Sequence, residues 1–581
     1  NDTLAKVSKY VYGNNANPYM TQMITESVLL GHIRKLSPNI IRYPGGNLSS
    51  VFFWNSLKDQ PPADAPAKLT DADGNLNDAG YWYGKNTEGW TLSVENYYKM
   101  LTQTNNTGII TINYGYARYG TGPTPVTTAA HYAADWVRYD NGRTKFWEIG
   151  NESDGPWQAG FRINLATNHD GQPEIISGQL YGEHFKIFAD SMRAAADKLG
   201  HQIFIGGQLL AYDASTSWNP PDITWNQGFF SAAGNDADFF IIHSYYTPYN
   251  ENSTPAGIIA SAQTETINMI EYLRSNSAAN DVDMKPVALT EWNIFAVGSK
   301  QMCSYINGMH AAIVLGEMIK QQYGQASRWD LANGYSSGND MGIFNNKDEP
   351  GVPAWNPRPA FFYMYYFQKY FGDHMLKSTV TGSLNVISYA SSFSSGEIGV
   401  VVINKGISAQ VVKIDIPGFG FGNRYYYYSL TGGTDNGNFS QKVYVNGNGP
   451  DNLTGGPIGN LTLLKAWSDE IKRPVTIYSP GYSIQYVLID NGTNIIDDIN
   501  DNSVQKPGVW PNPAKDFVYV SSPDIIERID LLSSNGMILQ TIKPQSAAEP
   551  CRLELNVPPG IYFIQTTTKG NLSVEKIIVL E

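Results

Sequence analysis

Cysteine is almost missing from this chain: two residues in 581, Cys303 and Cys551. They lie far apart, show no C-x-x-C spacing and fall in segments that read as different domains. Neither a disulfide framework nor a thiolate metal site is expected. The eight histidines are dispersed, so no clustered metal-ligand set is expected either. Charge is sparse, at 16% of residues, and leans acidic, with a net charge of −13. Without a long run of Lys and Arg to neutralise phosphates, the balance argues against a nucleic-acid partner. No stretch approaches the ~20 apolar residues of a membrane helix. The G-x-S-x-G elbow is absent, and Gly206-Gly207 is too short for a phosphate cradle. No cofactor is expected. The chain opens at Asn1 without Met or an apolar leader, as a protein does once its signal peptide has been removed.

Aromatic rings are plentiful instead, with 37 Tyr and 13 Trp. Low charge with many rings suits a secreted protein that stacks aromatics on sugars, and suits any aromatic-rich β structure. Between residues 7 and 360, β-type runs alternate with helical periodicity. The candidate strands are 7–12, 40–44, 109–114, 146–151, 203–206, 239–245, 287–292 and a weaker one near 328–331. The candidate helices are 26–36, 94–102, 129–139, 178–199, 256–275 and 303–322. Eight strands alternating with helices predict a (β/α)8 TIM barrel. An open doubly wound sheet is the alternative, but the segment after the first strand, Gly13-Asn14-Asn15-Ala16-Asn17, is not its Gly-rich turn. From about residue 365 the pattern becomes short alternating strands, which reads as a β-sandwich. The expected organisation is a catalytic barrel at 7–364 and a β-sandwich at 365–489, with residues 1–6 as a candidate extra strand. An Asn- and Asp-rich linker at 490–506 and a small all-β domain at 507–581 follow.

Two strand ends carry the chemistry. Residues 146–152 read Phe-Trp-Glu-Ile-Gly-Asn-Glu and residues 287–293 read Val-Ala-Leu-Thr-Glu-Trp-Asn. Each is an apolar run that ends on a carboxylate. In such a barrel the site lies at the carboxyl ends of the strands, so Glu152 and Glu291 can converge there. Paired carboxylates are the working unit of glycoside hydrolysis. The two acids need different protonation states at one pH, so their surroundings must push their pKa values apart. Arg42 and Tyr245, at the ends of the second and sixth strands, are expected to keep Glu291 ionised. Trp147 and Trp157 are expected to desolvate Glu152 and keep it protonated. Asn151 is placed to bond a sugar 2-hydroxyl. His243 shares a strand face with Tyr245, and Trp292 and Trp329 are candidate sugar platforms. The loops 52–90 and 208–235 are expected to decide whether the cleft is open or closed.

These motifs resemble a known group. Trp147-Glu148-Ile149-Gly150-Asn151-Glu152 and Thr290-Glu291-Trp292-Asn293 are similar to the acid/base and nucleophile motifs of glycoside hydrolase clan A, the retaining (β/α)8 enzymes. Arg42-Tyr43-Pro44-Gly45-Gly46-Asn47 and the run from Gly150 to Gln158 resemble family 51, which holds α-L-arabinofuranosidases and some endoglucanases. The resemblance implies Glu152 as general acid/base and Glu291 as nucleophile. It also implies Asn151 on the 2-hydroxyl, and Arg42 and Tyr245 steadying the nucleophile. The opening Tyr12-Gly13-Asn14-Asn15 departs from family 51, which carries a substrate-binding Glu in that region. Asn14 stands there as the expected substrate contact, and families 39, 30 and 44 stay open. The tail resembles the C-terminal sorting domain of the type IX secretion system, through Trp510-Pro511-Asn512-Pro513-Ala514, Ile529-Asp530-Leu531, Pro559-Gly560-Ile561-Tyr562 and Lys576-Ile577. That implies export by that machinery to the outside or the outer-membrane surface. The expected function is a retaining glycoside hydrolase acting on plant-type polysaccharide. The alternative is a surface glycan-binding protein that has kept the barrel.

Overall fold

The computed structural model describes residues 3–336, 340–492 and, between 508 and 580, all but 511, 513, 523–524, 534–535, 545–550 and 569–570. The chain forms two compact units, Asn1–Asn494 and Ile495–Glu581. The expected linker at 490–506 lies, from 493 onward, outside the described residues, as do Pro511 and Pro513 of the tail motif.

Eight parallel strands in the first unit close into a barrel. In chain order they are Gly13–Asn15, Ile40–Tyr43, Thr107–Ile112, Phe146–Ile149, Phe204–Gln208, Phe239–Tyr245, Val287–Asn293 and Gln325–Arg328. The first and last differ from the sequence expectation. Residues 9–12 form a 3-10 turn and the strand begins at Gly13. A Cβ at Gly13 would meet the Ala326 carbonyl at 2.3 Å, so glycine lets the first and eighth strands close the barrel. The stretch 208–235 is not all loop either. It contains the helix Pro220–Ala233, which starts on two prolines and buries Trp225, Phe229 and Phe230. Proline is favoured at that position because its missing N–H has no helical partner there.

The period-2 alternation of strand side chains connects the core to the site. Ile40, Ile109, Ile241 and Ala288, with Phe146 against them, plug the barrel low down. Two residues further along the same strands stand Arg42, Thr111, His243, Thr290 and Glu148. The seventh strand then breaks its phase. Its register against the sixth slips between Ile242 and His243, so that Leu289 pairs with Ile242 but Glu291 pairs with His243. This bulge at Thr290 re-aims the following side chain, and both Thr290 and Glu291 face the mouth.

Behind the barrel lies an antiparallel sheet that includes His374–Leu376, Val386–Ser392, Ile398–Asn404, Ser483–Asn491 and Phe421–Gly432, with Thr3–Lys6 added at its edge. Along Ile398–Asn404, Val400 and Val402 join an inner core with Val475, Ile477 and Val487. Val401 and Ile403 face the other way and join the barrel's large core. Tyr486 donates its hydroxyl to the Tyr363 carbonyl (2.8 Å) and Tyr389 donates to Glu317 (2.9 Å). The sheet is thus welded to the helices Pro359–Tyr370 and Tyr305–Lys320. Among its described residues the second unit is all β, with a core that includes Val518, Leu531, Leu553, Ile564 and Ile577. Both cysteines are free, Cys303 buried and Cys551 half-buried.

Candidate active site

Arg42 is the hub of the mouth. It is fully buried, and its Nε meets Glu148 Oε2 at 2.5 Å while Nη1 meets Glu291 Oε1 at 2.7 Å. Nη1 also donates to Asn15 Oδ1 (3.1 Å) and Nη2 to Asn151 Oδ1 (2.8 Å). Asn15 is itself fixed by donating Nδ2 to the Thr290 and Ser327 carbonyls at 2.9 and 3.0 Å. The guanidinium fork therefore ties the second strand to the fourth and the seventh. Glycines make room beside it. Gly45 and Gly46 have φ of 61° and 66°. A Cβ on Gly45 would lie 3.0 Å from Arg42 Nη1, and one on Gly46 would lie 2.5 Å from the Trp329 ring. The turn lets Gly46 N–H donate to Glu291 Oε1 at 3.2 Å, while Tyr245 donates its hydroxyl to Oε2 at 3.0 Å.

Glu152 stands across from Glu291. Its strand stops at Ile149, and Glu152 follows in a turn with φ of 41°, a conformation costing a non-glycine residue roughly 1–3 kcal/mol. Gln208 holds that turn, accepting from Ser153 N–H (2.9 Å) and donating to the Ile149 carbonyl (3.1 Å). Glu152 Oε1 lies 2.9 Å from His243 Nδ1, and its Oε2 accepts from Trp157 Nε1 at 2.9 Å. His243 Nε2 is 3.0 Å from Thr290 Oγ1. Ligand atoms of Glu152, His243 and Glu291 all lie within 4.8 Å of one another. Among the described residues this trio is the group spaced to share an ion. In its present state the Arg42 guanidinium and the His243 ring already serve the carboxylates.

Burial would lower the His243 pKa, but Glu291 and Glu152 together outweigh it and raise it. Burial would raise Glu152, yet His243 and the Trp157 hydrogen bond bring it below the ordinary carboxyl range. This corrects the expectation that desolvation holds Glu152 protonated. Trp157 acts as a donor and is half exposed, while Trp147 is fully buried away from the acid, edge-on to Trp136. The two shifts point the same way and favour a charged His243–Glu152 pair in the free site. Burial, then Glu291, push the Tyr245 hydroxyl well above its usual value, so it remains a donor.

Two other expected contacts change. Trp292 is fully buried in the outer core with Leu289, because the phase after the bulge turns it away from the mouth. Asn14 is fully buried and bonds the Tyr12 carbonyl; one position of strand alternation makes Asn15 the inward neighbour. Asn151 is also buried, with Oδ1 on Arg42 and Nδ2 lacking a protein partner. Trp329, Trp157, His243 and Tyr245 line a cleft of about 1010 Å³ together with both acids. Of the other tryptophans, Trp54, Trp225 and Trp355 are buried, and Trp218 lines the cleft. Sequence reasoning passed over Glu148, Asn15, Gln208 and Asp154. Glu148 and Asp154 were inside the quoted motifs, and Asn15 was one place from the residue chosen.

A closed parallel barrel here holds two carboxylates facing each other at its strand ends, where such barrels carry their sites. Residues 32–253 match the family model of the alpha-L-arabinofuranosidase 1 domain, and residues 508–580 match that of the secretion system C-terminal sorting domain. The barrel thus carries a stretch similar to the alpha-L-arabinofuranosidase 1 domain, and the tail a sorting domain that indicates a secreted protein or one held at the outer-membrane surface. Among the described residues no helix is long and apolar enough to cross a membrane. A curated relative from Bifidobacterium longum, an intracellular exo-alpha-(1->5)-L-arabinofuranosidase, is 23% identical over 46% of this chain and 44% of its own length. One of the same description from Bacillus subtilis is 22% identical over 67% of this chain and 77% of its own. The chain spans about half the length of most of the curated relatives it matches. The solved GH51 arabinofuranosidase from Xanthomonas axonopodis pv. citri aligns with TM-score 0.55 at 14% identity, covering 84% of this chain and 98% of that one. A bifunctional glucanase-xylanase from a metagenome library aligns at 0.53 and 14%, covering 84% and 97%. At such identities the likeness speaks for the fold.

Proposed function

We propose that this protein is an exported retaining glycoside hydrolase that acts on arabinofuranosyl-bearing hemicellulose by double displacement, with Glu291 as nucleophile and Glu152 as acid/base. One observation carries the reading. Two carboxylates reach within 4.8 Å of each other through their ligand oxygens, at the mouth of one barrel. Retaining enzymes hold the pair about 5–5.5 Å apart, and inverting ones need about 6.5–9.5 Å for the water.

The first step forms a bond between Glu291 and the anomeric carbon while the glycosidic C–O bond breaks. The departing oxygen takes its proton from Glu152. Arg42, Gly46 and Tyr245 hold Glu291 aimed at that carbon by donating to both of its oxygens. Asn151 turns its free Nδ2 to the 2-hydroxyl of the sugar, a contact that tightens in the transition state. In the second step Glu152 removes a proton from water as its oxygen attacks the same carbon, and Glu291 leaves as carboxylate. Incubation with arabinoxylan, arabinan, xylan, mannan and mixed-linkage glucan, with identification of products, tests the reading. Release of arabinose from the first two is expected, and no release from any of them contradicts it.

Glu152 and His243 act as one unit that binds a proton, so their titration belongs to the pair. Substrate contact shifts the proton from His243 to Glu152, and activity persists until the pair loses it at the raised His243 pKa. His243→Gln leaves Glu152 to titrate alone, as an acid. The alkaline limb of the kcat/KM profile is expected to move to lower pH, and an unmoved limb contradicts the sharing. The stability sign is separate. The charge pairing supports the fold below the ordinary histidine range and loses that support as pH rises through the raised value.

A further inference from the structure

The acid end of the cleft carries groups that bond cleavage alone does not need. Trp218 is 80% exposed and Tyr212 is 54% exposed, and both line the cleft. Their loop is pinned at both ends. Leu210 N–H donates to Asn226 Oδ1 (2.8 Å), and Asn226 Nδ2 returns a bond to the Leu210 carbonyl (2.9 Å). At the far end Asn219 Nδ2 donates to the Asp154 carbonyl (2.8 Å) and to Asp222 Oδ1 (2.6 Å), and Ser217 donates to Asp222 Oδ2 (2.8 Å). Large rings are thus held out in water on an anchored segment that leads back to Asp154.

Asp154 is the second observation. It is nine-tenths buried, lines the same cleft, and bonds no other residue through its carboxyl among the described residues. Its own backbone N–H is the carboxyl's hydrogen-bond partner, and the cleft beside it leaves room for a ligand hydroxyl to complete its bonding. Burial, followed by the charges of Glu152 and Asp222, raises its pKa to about 7. At neutral pH it can therefore donate or accept.

Resting on the reading above, we propose that Asp154, Tyr212 and Trp218 form a leaving-group subsite for a glycan chain, so that the substrate is a polymer or long oligosaccharide held on both sides of the scissile bond. Asp154 follows Glu152 by two residues, and Glu152 is the group that meets the leaving oxygen. A pinned ring and a lone carboxyl beside that oxygen form the mixed apolar and polar lining that a pyranose needs. Tyr249, 77% exposed and edge-on to Phe295 at 5.0 Å, adds a ring to the wall shared with Tyr245. The cleft, about 1010 Å³, sits at the top of the range of about 300–1,000 Å³ for small-ligand pockets, more than a single sugar fills.

The test compares kcat/KM on the arabinose-bearing polysaccharide with kcat/KM on the glycosyl fluoride of the released sugar, whose leaving group is too small to reach Trp218. The polymer-to-fluoride ratio is expected to fall about tenfold (~1.4 kcal/mol) in Trp218→Ala and in Asp154→Asn, mainly through KM, and to recover in Trp218→Phe. Ratios within about twofold of the parent in both variants overturn the subsite, as does a parent that cleaves the fluoride but no polymer. In either case cleavage of the fluoride by the parent and its loss in Glu291→Gln leave the proposed hydrolase standing. A parent inert on both substrates removes the hydrolase and the subsite together.

Discussion

Glu291→Gln protein is expected to fold and to bind glycan, yet to hydrolyse it roughly 10⁴-fold more slowly, a barrier increase of ~5.4 kcal/mol at ~1.36 kcal/mol per decade. The amide has the shape of the carboxylate; with its oxygen kept towards Arg42 and Gly46, its NH2 can donate to the Tyr245 oxygen, which lies 3.0 Å from Oε2. It offers no lone-pair charge to form a glycosyl ester. Arg42 keeps one carboxylate partner in Glu148 at 2.5 Å, so the hub survives. The variant is checked by steady-state kinetics, with far-UV circular dichroism and calorimetric glycan binding alongside. Activity within about tenfold of the parent would remove Glu291 from the chemistry.

Arg42→Met has the second large effect, on fold and activity together. The guanidinium is completely buried between Glu148, also completely buried, and Glu291. Removing one partner of a buried ion pair is worth about 3–5 kcal/mol because the other charge is left uncompensated. Here two carboxylates lose their cation, and Asn15 and Asn151 lose the donors that orient them. An unfolding free energy lowered by about that amount is expected, read out as a lower denaturant midpoint at unchanged m. Adding Glu148→Leu should recover part of the stability, since a buried pair can be replaced by apolar groups, and should leave activity lost, since Glu291 still lacks the guanidinium that aims it. Recovery of activity in the double variant would show that Arg42 serves the fold alone.

Much of this was legible in the chain because strands broadcast their faces. The apolar runs before Glu152 and Glu291 marked both acids, and alternation placed His243 and Tyr245 on one side of the sixth strand. What was lost turned on single steps of phase. The bulge at Thr290 leaves no trace in a sequence read as strict alternation, and it decides that Glu291 faces the mouth while Trp292 is buried. Likewise the first strand starts at Gly13, later than its apolar content suggests, so the inward asparagine is Asn15. Trp147 looked like a partner for Glu152 through closeness in sequence, although neighbouring strand residues point to opposite faces. The His243–Glu152 pairing joins residues 91 positions apart, and no local pattern encodes it. Asp154 was quoted within a motif without a role, because its isolation appears only once the loop ending at Asn219 is folded over it.

The account stands on two distant carboxylates working on one anomeric carbon from a single barrel mouth. Its most direct test uses Glu152→Ala with an aryl glycoside. The activated leaving group needs no acid for the first step, whereas the second step lacks its base, so the intermediate must accumulate. Intact-protein mass spectrometry should show the mass of one added glycosyl residue, and digestion should place it on the peptide that carries Glu291. Turnover with no adduct, or an adduct on any other carboxylate, would contradict the account.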